Sequence, residues 1–253
     1  MHPHRTEEVS FRNNKGQMLS GRMHLPGEGA SRGLIFCHGL YSSKDATKIV
    51  KMSAHITRSG FALLAFDFSF ICIPGILSDF SIAQEVEDLR AAAAFMRGRG
   101  ITELHLMGSS MGGVVSLLYA SEPGTALASL TLIATPARLG ALFKKGTGVD
   151  IQTLPEAGMT PVDGVPIRNT FFREAAALDL EERAAHIDAP ALVIHGKEDA
   201  VVDYADSLVL AAAIGGRTRH VPIEGGDHNL TGEDCLSILR EETVRWLTAH
   251  YRA

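Results

Sequence analysis

Six short, nearly unbroken apolar runs separated by stretches of helical spacing constrain this chain more than any other feature. They occupy residues 34–37, 61–66, 104–107, 130–134, 191–194 and 220–223. A strand with one wet face alternates apolar and polar residues, whereas a strand covered on both faces does not. Buried strands alternating with helices predict an α/β fold, with a parallel sheet and helices on both faces. Ahead of these runs, two alternating segments, 9–13 and 17–25, flank Asn14-Lys15-Gly16 and predict a β-hairpin.

The intervening helices follow from spacing. Ile82, Val86, Leu89, Ala93 and Met96 lie on one helical face, with Ser81 and Gln84 at capping-box spacing. Ile49, Met52 and Ile56 mark a helix closed by Gly60. Leu236, Leu239 and Trp246 mark the last one, with Thr231 and Asp234 at capping spacing. Residues 111–120 are apolar almost all round, which predicts a central buried helix. The segment 137–188 breaks the rhythm. It is rich in glycine and proline, shows no clear strand, and turns helical from 171 to 186. Long irregular stretches within compact domains are usually functional. We expect one domain over 1–253, with a small cap at about 137–188.

Composition excludes several classes. The 253 residues are 45% hydrophobic and 21% charged with a formal charge of −5, which argues for a globular protein and against binding nucleic acid. The most apolar stretch, 61–77, is interrupted by Asp67, Ser69 and Pro74 and falls short of the ~20 residues a membrane span needs. Residues 1–10 carry charges and no apolar run, unlike a secretory signal. Cys37, Cys72 and Cys235 form no C-x-x-C pair, so reduced thiols and a cytoplasmic location are expected.

The chemistry is carried by Gly108-Ser109-Ser110-Met111-Gly112, which fits G-x-S-x-G. A serine hydroxyl is a poor nucleophile and must be presented on a tight strand-to-helix turn beside a base. Gly29-Ala30-Ser31-Arg32-Gly33 fits the pattern too, but it precedes an apolar run instead of following one. Ser110 is therefore the candidate nucleophile. Chain order then calls for an acid and a histidine downstream. Of His186, His195, His220, His228 and His250, only His228 sits in a loop just beyond an expected strand, in Gly225-Gly226-Asp227-His228-Asn229. Loops at strand carboxyl ends gather functional groups in open α/β sheets, so His228 is the candidate base. Asp199, after the run at 191–194, is the candidate acid, with Glu198 and Asp203 competing on the same loop. Asp227 adjoins the base too closely in sequence to face its ring.

Acyl transfer builds negative charge on a carbonyl oxygen, which needs two preorganised N–H donors. The backbone N–H groups of Met111, after the nucleophile, and Leu40, after the run at 34–37, are the candidates. His38 is expected to brace its loop. No H-E-x-x-H motif or cysteine cluster suggests a metal, and no phosphate- or dinucleotide-binding glycine motif opens a helix, so no cofactor is expected.

Together these residues resemble the α/β-hydrolase superfamily. The likeness rests on His38-Gly39, the Gly108-to-Gly112 turn, His195-Gly196 with Asp199, and Asp227-His228. Phe66-Asp67-Phe68, the segment 85–91, and Phe171-Phe172 with Ile187-Asp188-Ala189-Pro190 are similar to the bacterial branch of cinnamoyl (feruloyl) esterases. The resemblance implies an eight-stranded, mostly parallel sheet, a Ser110-Asp199-His228 triad, the Leu40 and Met111 donors, and no cofactor. One departure stands out. Relatives in that branch usually follow Phe-Asp-Phe with a polar, glycine-containing stretch, whereas here Ser69-Phe70-Ile71-Cys72-Ile73-Pro74 follows. Two readings of this apolar loop compete. It forms a substrate-binding wall through Phe70, Ile71 and Ile73, or it packs against the cap or a second copy of the chain in a homodimer. The function expected is hydrolysis of a small-molecule carboxylic ester. Thioesters and amides or peptides use the same parts, and a non-catalytic ligand-binding protein is the reading from a different class.

Overall fold

The N-terminal hairpin forms because Gly16 accepts a left-handed φ of +73°, where other residues are strained. The Asn13 side chain closes the turn by accepting from the Lys15 and Gln17 N–H groups. Its strands, β1 (Arg5–Arg12) and β2 (Met18–Leu25), pair antiparallel in register Ser10↔Ser20. The computed structural model describes residues 5–27, 29–72, 80–162 and 164–250, with backbone only at 71, 72 and 152.

All six apolar runs form strands: β3 (Arg32–Cys37), β4 (Ala62–Phe66), β5 (Glu103–Ser109), β6 (Ser129–Ile133), β9 (Ala191–Gly196) and β10 (Thr218–Ile223). With the hairpin they make an eight-stranded sheet in the order β1-β2-β4-β3-β5-β6-β9-β10. The pairs from β4 through β10 are parallel, and β1 and β2 run antiparallel at one edge. Alternate residues of one strand serve opposite cores. Leu34 and Phe36 pack with Ile49, Met52 and Trp246, while Ile35 and Cys37 pack with Leu89, Val114 and Leu210. Helices α1 (Thr47–Arg58) and α9 (Glu233–Ala249) cover the first face, and α3 (Ile82–Gly98), α4 (Met111–Ala120) and α8 (Tyr204–Ala213) the second. Double coverage is why the inner strands carry no polar alternation. At the far edge β10 is only partly buried and tolerates Pro222, as an edge strand can.

Local signals set the helix ends. Ser81 caps α3 by accepting from the Gln84 N–H at 3.1 Å, but the Gln84 amide reaches Asn14 and Asp88 and does not complete a reciprocal box. Helix α1 ends in a Schellman turn: Gly60 (φ +87°) donates to Thr57 O and Phe61 donates to Ile56 O. All ten residues of α4 are buried. Helix α9 corrects the expected cap, because it begins after Gly232 with no side-chain capping bond, and Thr231 lies outside it.

The segment between β6 and β9 contains α5 (Leu139–Thr147), a 3-10 turn (Ile151–Thr153), β7 (Met159–Val162), β8 (Val165–Arg168), α6 (Asn169–Ala177) and α7 (Leu180–Ala185). The hairpin β7–β8 overturns the expectation of no strand there. Pro161 and Pro166 hid it, since proline speaks against a strand. The two prolines face each other one step from the Val162↔Val165 pair that closes the turn. Pairs at that position exchange no ladder hydrogen bonds, so neither missing N–H is needed. No helix among the described residues is long and apolar enough to cross a membrane.

Candidate active site

Strand β5 ends at Ser109 and α4 begins at Met111, so Ser110 alone turns the chain, at φ +54° and ψ −119°. A non-glycine residue held there costs about 1–3 kcal/mol and persists only where its surroundings fix it. They do so here. The Ser110 N–H donates to Ile133 O at 2.8 Å, and its carbonyl accepts from the Gly113 and Val114 N–H groups. The flanking glycines are dictated by close approach. A Cβ on Gly108 would sit 2.2 Å from Gly112 O, and one on Gly112 would sit 2.2 Å from Cys37 O. Ser31 lies just before β3, where its carbonyl accepts from the Thr102 and Glu103 N–H groups. It occupies the opposite end of the sheet from Ser110.

The loops after β9 and β10 bring the other candidates to Ser110. His228 Nε2 lies 3.1 Å from Ser110 Oγ, and His228 Nδ1 lies 2.7 Å from Asp199 Oδ2. An ionised carboxylate only accepts, so Nδ1 carries the proton and Nε2 is left to accept the serine hydroxyl's. Asp199 is held on every side. Oδ1 accepts from the Val201 and Val202 N–H groups, and Oδ2 also accepts from His195 Nε2 at 3.1 Å. Burial would raise this carboxyl, but the hydrogen bonds from His195 and His228 outweigh it and hold Asp199 well below the usual carboxylate range. Its competitors are engaged elsewhere or exposed: Asp203 caps α8 through Ala205, Asp227 accepts from Leu230, and Glu198 faces solvent. The remaining downstream histidines also have other partners, His186 with Glu182, His220 with Ser207 and His250 with Trp246.

His195 does more than its sequence position suggested. It is fully buried, as expected of a packed strand end, yet its Nε2 faces two acceptors, Asp199 and Val202 O. That fixes the proton on Nε2 and leaves Nδ1 without a hydrogen-bond partner among the described residues.

The loop after β3 runs against Ser110, since a Cβ on Gly39 would lie 3.2 Å from Ser110 Cβ. Neither the Leu40 nor the Met111 N–H donates to an acceptor among the described residues, and Met111 also stands at the positive end of the α4 dipole. His38 braces this loop. Its Nδ1 pairs with Gly39 O at 2.8 Å, and its Nε2 accepts from the Phe68 N–H. Burial pushes its pKa down to about 4, so the ring is neutral. Behind it, Asp67 receives both the backbone N–H and the ammonium of Lys44, at 2.7 and 2.6 Å.

Two chambers meet at Ser110 and His228, with Leu40 and Tyr41 on their shared wall. One, of about 550 Å³, is polar and lined by Ser42, Ser43, Thr47, Lys48, Asn229 and Thr231. The other, of about 480 Å³, is apolar and lined by Met111, Pro136, Leu142, Phe143, Val162 and Val201. Both have the size of small-molecule sites. A cleft of about 590 Å³ beside Pro123 and Arg183 lies at the far end of α4, away from this chemistry. Lys48, which the sequence reading missed, is buried with its ammonium 2.7 Å from Ser109 Oγ. A signal existed: Lys48 falls four residues before Met52 and eight before Ile56, on the apolar face of α1. Burial lowers its pKa to about 8 against the opposing pull of Asp227 and Asp199.

Phe70 lines neither chamber. Its ring packs on His38, Phe68 and Phe80, which in turn stacks on Phe171 of α6, and it borders a separate cavity of about 190 Å³ beside Glu85. The Ile71 side chain and Ile73 lie outside the described residues. Among the described residues, no group of three or more His, Cys, Asp or Glu side chains is arranged to hold a metal ion.

A family profile described as the alpha/beta hydrolase fold matches residues 34–150. The curated relative Monoacylglycerol lipase abhd6-A of Xenopus laevis is 26% identical over 244 residues, spanning 76% of this chain and 68% of its own length. Est1E from Butyrivibrio proteoclasticus superposes with a TM-score of 0.83 at 18% identity, over 96% of this chain and 98% of that one. An esterase domain from a Rhodothermus marinus protein is 26% identical with a TM-score of 0.74, over 96% and 97% of the two chains.

Proposed function

We propose that this chain, a member of the α/β-hydrolase superfamily, hydrolyses carboxylic esters through an acyl-enzyme on Ser110. The observation that carries the reading is the continuous contact from Ser110 Oγ through His228 to Asp199, at 3.1 and 2.7 Å. Ser110 Oγ attacks the ester carbonyl while His228 Nε2 takes its proton, and Asp199 stabilises the imidazolium that forms. The oxyanion lies against the Leu40 and Met111 N–H groups, fixed before substrate arrives, so little reorganisation is needed as charge develops. His228 then returns the proton to the departing alkoxide, which leaves as alcohol. Water, activated by the same imidazole, releases the acid and restores Ser110.

Esters are favoured because an alkoxide needs less assistance to depart than an amide nitrogen. Relatives named as esterases and as a monoacylglycerol lipase support the same chemistry. The segment 137–188 serves as a cap in this reading, its α5 and β7 supplying Leu142, Phe143 and Val162 to the apolar chamber. A fluorophosphonate probe should label Ser110 in the folded protein, and a panel of p-nitrophenyl esters of graded acyl length should be turned over. Failure to label, or faster turnover of matched thioesters or amides than of every ester, overturns the assignment.

A further inference from the structure

We propose that Lys48 is a substrate-binding residue whose ammonium receives a neutral oxygen, as on a polyol, from the alcohol part of the ester. The acyl part then occupies the apolar chamber. This rests on the esterase reading and adds to it which alcohols the site takes and which residue selects them.

The Lys48 ammonium has few partners within the protein. Lys48 has three N–H protons, yet among the described residues its one hydrogen-bond partner is Ser109 Oγ, at 2.7 Å. It is 7% exposed and lines the chamber that Ser110 and His228 share. Desolvating a cation is unfavourable unless its donors are used, so the remaining protons are available to oxygens of whatever fills the chamber. The other walls fit the same guest. Ser42, Ser43, Thr47, Asn229 and Thr231 bring short neutral donors and acceptors, which suits hydroxyl groups.

Charge decides between a neutral and an anionic guest. Asp227 and Asp199 act on Lys48 electrostatically, while Asp45 on the chamber wall is paired with Arg22. A carboxylate entering beside the ammonium would meet two carboxylates that already draw on that one cation, and a hydroxyl meets no such opposition. The apolar chamber has one charged lining residue, the exposed Lys145, whose ammonium donates to Ala200 O at 3.1 Å, and the side chains of Leu142, Phe143, Val162 and Val201 carry no donors. The two halves of the ester are thereby sorted. The acyl group stays with the enzyme through both chemical steps in the apolar chamber, and the alcohol leaves through the polar one.

The test compares three butyrate esters, glyceryl, propyl and the 3-carboxypropyl ester, on the wild-type chain, Lys48→Met and Lys48→Gln. The wild type should favour the glyceryl over the propyl ester. Lys48→Met should lose about 10- to 100-fold in kcat/KM for the glyceryl ester, chiefly through KM, with less than about threefold change for the propyl ester. Lys48→Gln, which keeps an N–H donor, should recover part of the loss. Equal losses on glyceryl and propyl esters would show that Lys48 only supports Ser109 and would overturn the proposal. A wild type that does not distinguish those two esters, or that prefers the carboxylate, also overturns it, whether or not the variants fold. Turnover of neither these three nor the p-nitrophenyl ester panel by a wild type that fluorophosphonate labels at Ser110 would instead refute the esterase reading.

Discussion

Two segments of this chain spell G-x-S-x-G, and they stand at opposite ends of neighbouring parallel strands. Ser31 precedes β3 where Arg32 pairs with Glu103, and Ser110 follows β5 beyond the Cys37↔Gly108 pair. Six strand residues, roughly 20 Å, separate the two levels. Around Ser110 the chain supplies a left-handed turn, the start of a buried helix, an imidazole at 3.1 Å and the loop carrying Leu40. Around Ser31 it supplies a loop whose carbonyl simply joins two strand ends. The letters are equal and the consequences are not. In a parallel sheet all carboxyl ends point one way, so loops distant in sequence converge at one edge.

Four measurements press on this contrast. The largest effect belongs to the two serines. Ser110→Ala should lower kcat by about ten-thousandfold or more, while Ser31→Ala stays within about twofold; comparable losses in steady-state assays would erase the distinction. Next is Asp199→Asn. An amide in place of a carboxylate no longer specifies the His228 tautomer, so kcat should fall about a thousand- to ten-thousandfold, with far-UV circular dichroism unchanged.

The glycines test packing. Ala at position 112 would drive a Cβ to 2.2 Å from Cys37 O and 2.4 Å from His38 O, whereas at position 29 it meets nothing within 4 Å. Gly112→Ala should destabilise by about 3 kcal/mol and Gly29→Ala by less than about 0.5, read from denaturant midpoints. Gly33→Ala should fall between them, since its contacts are the ends of the Met96 and Ile101 side chains.

The last measurement concerns pH. His38 is buried neutral with its pKa pushed down to about 4, so the unfolded chain binds its proton first as pH falls. Its contribution is full above about pH 6.5 and is lost progressively toward pH 4, up to about 3 kcal/mol. His38→Gln, which can still accept from the Phe68 N–H, should flatten that part of the stability curve. An identical slope in the two proteins would contradict a buried neutral ring. His105, buried and also lowered to about 4, lies on β5 and should keep its share in both.

Much of this was legible in residue order, and the exceptions have physical causes. Periodicity revealed the strands and main helices because burial on one or two faces leaves a repeat, and Ser110 was separable from Ser31 by what precedes each. The ring interactions of Phe70 depend on Phe80 and Phe171, one of them about a hundred residues away, so no local spacing encodes them. His195 read as a core residue and is one, but its bond to Asp199 arises from how the chain folds back through Val202. The β7–β8 hairpin was masked by two prolines that only a pairing register makes harmless. Lys48 was overlooked because a lysine normally marks the wet side of a helix.

Tyr41 ties the β7–β8 hairpin to the loop after β3. Its phenol donates to Val162 O at 3.1 Å, fastening β7 to the residue next to Leu40. Tyr41 itself sits at a φ of +58°, a conformation that persists only where its surroundings fix it. The β7–β8 hairpin and the Leu40 N–H, a candidate oxyanion donor, are therefore mechanically joined. On the proposed mechanism, freeing Tyr41 from Val162 would disturb the Leu40 donor as well, which couples the placement of the hairpin to the rate of the chemical step.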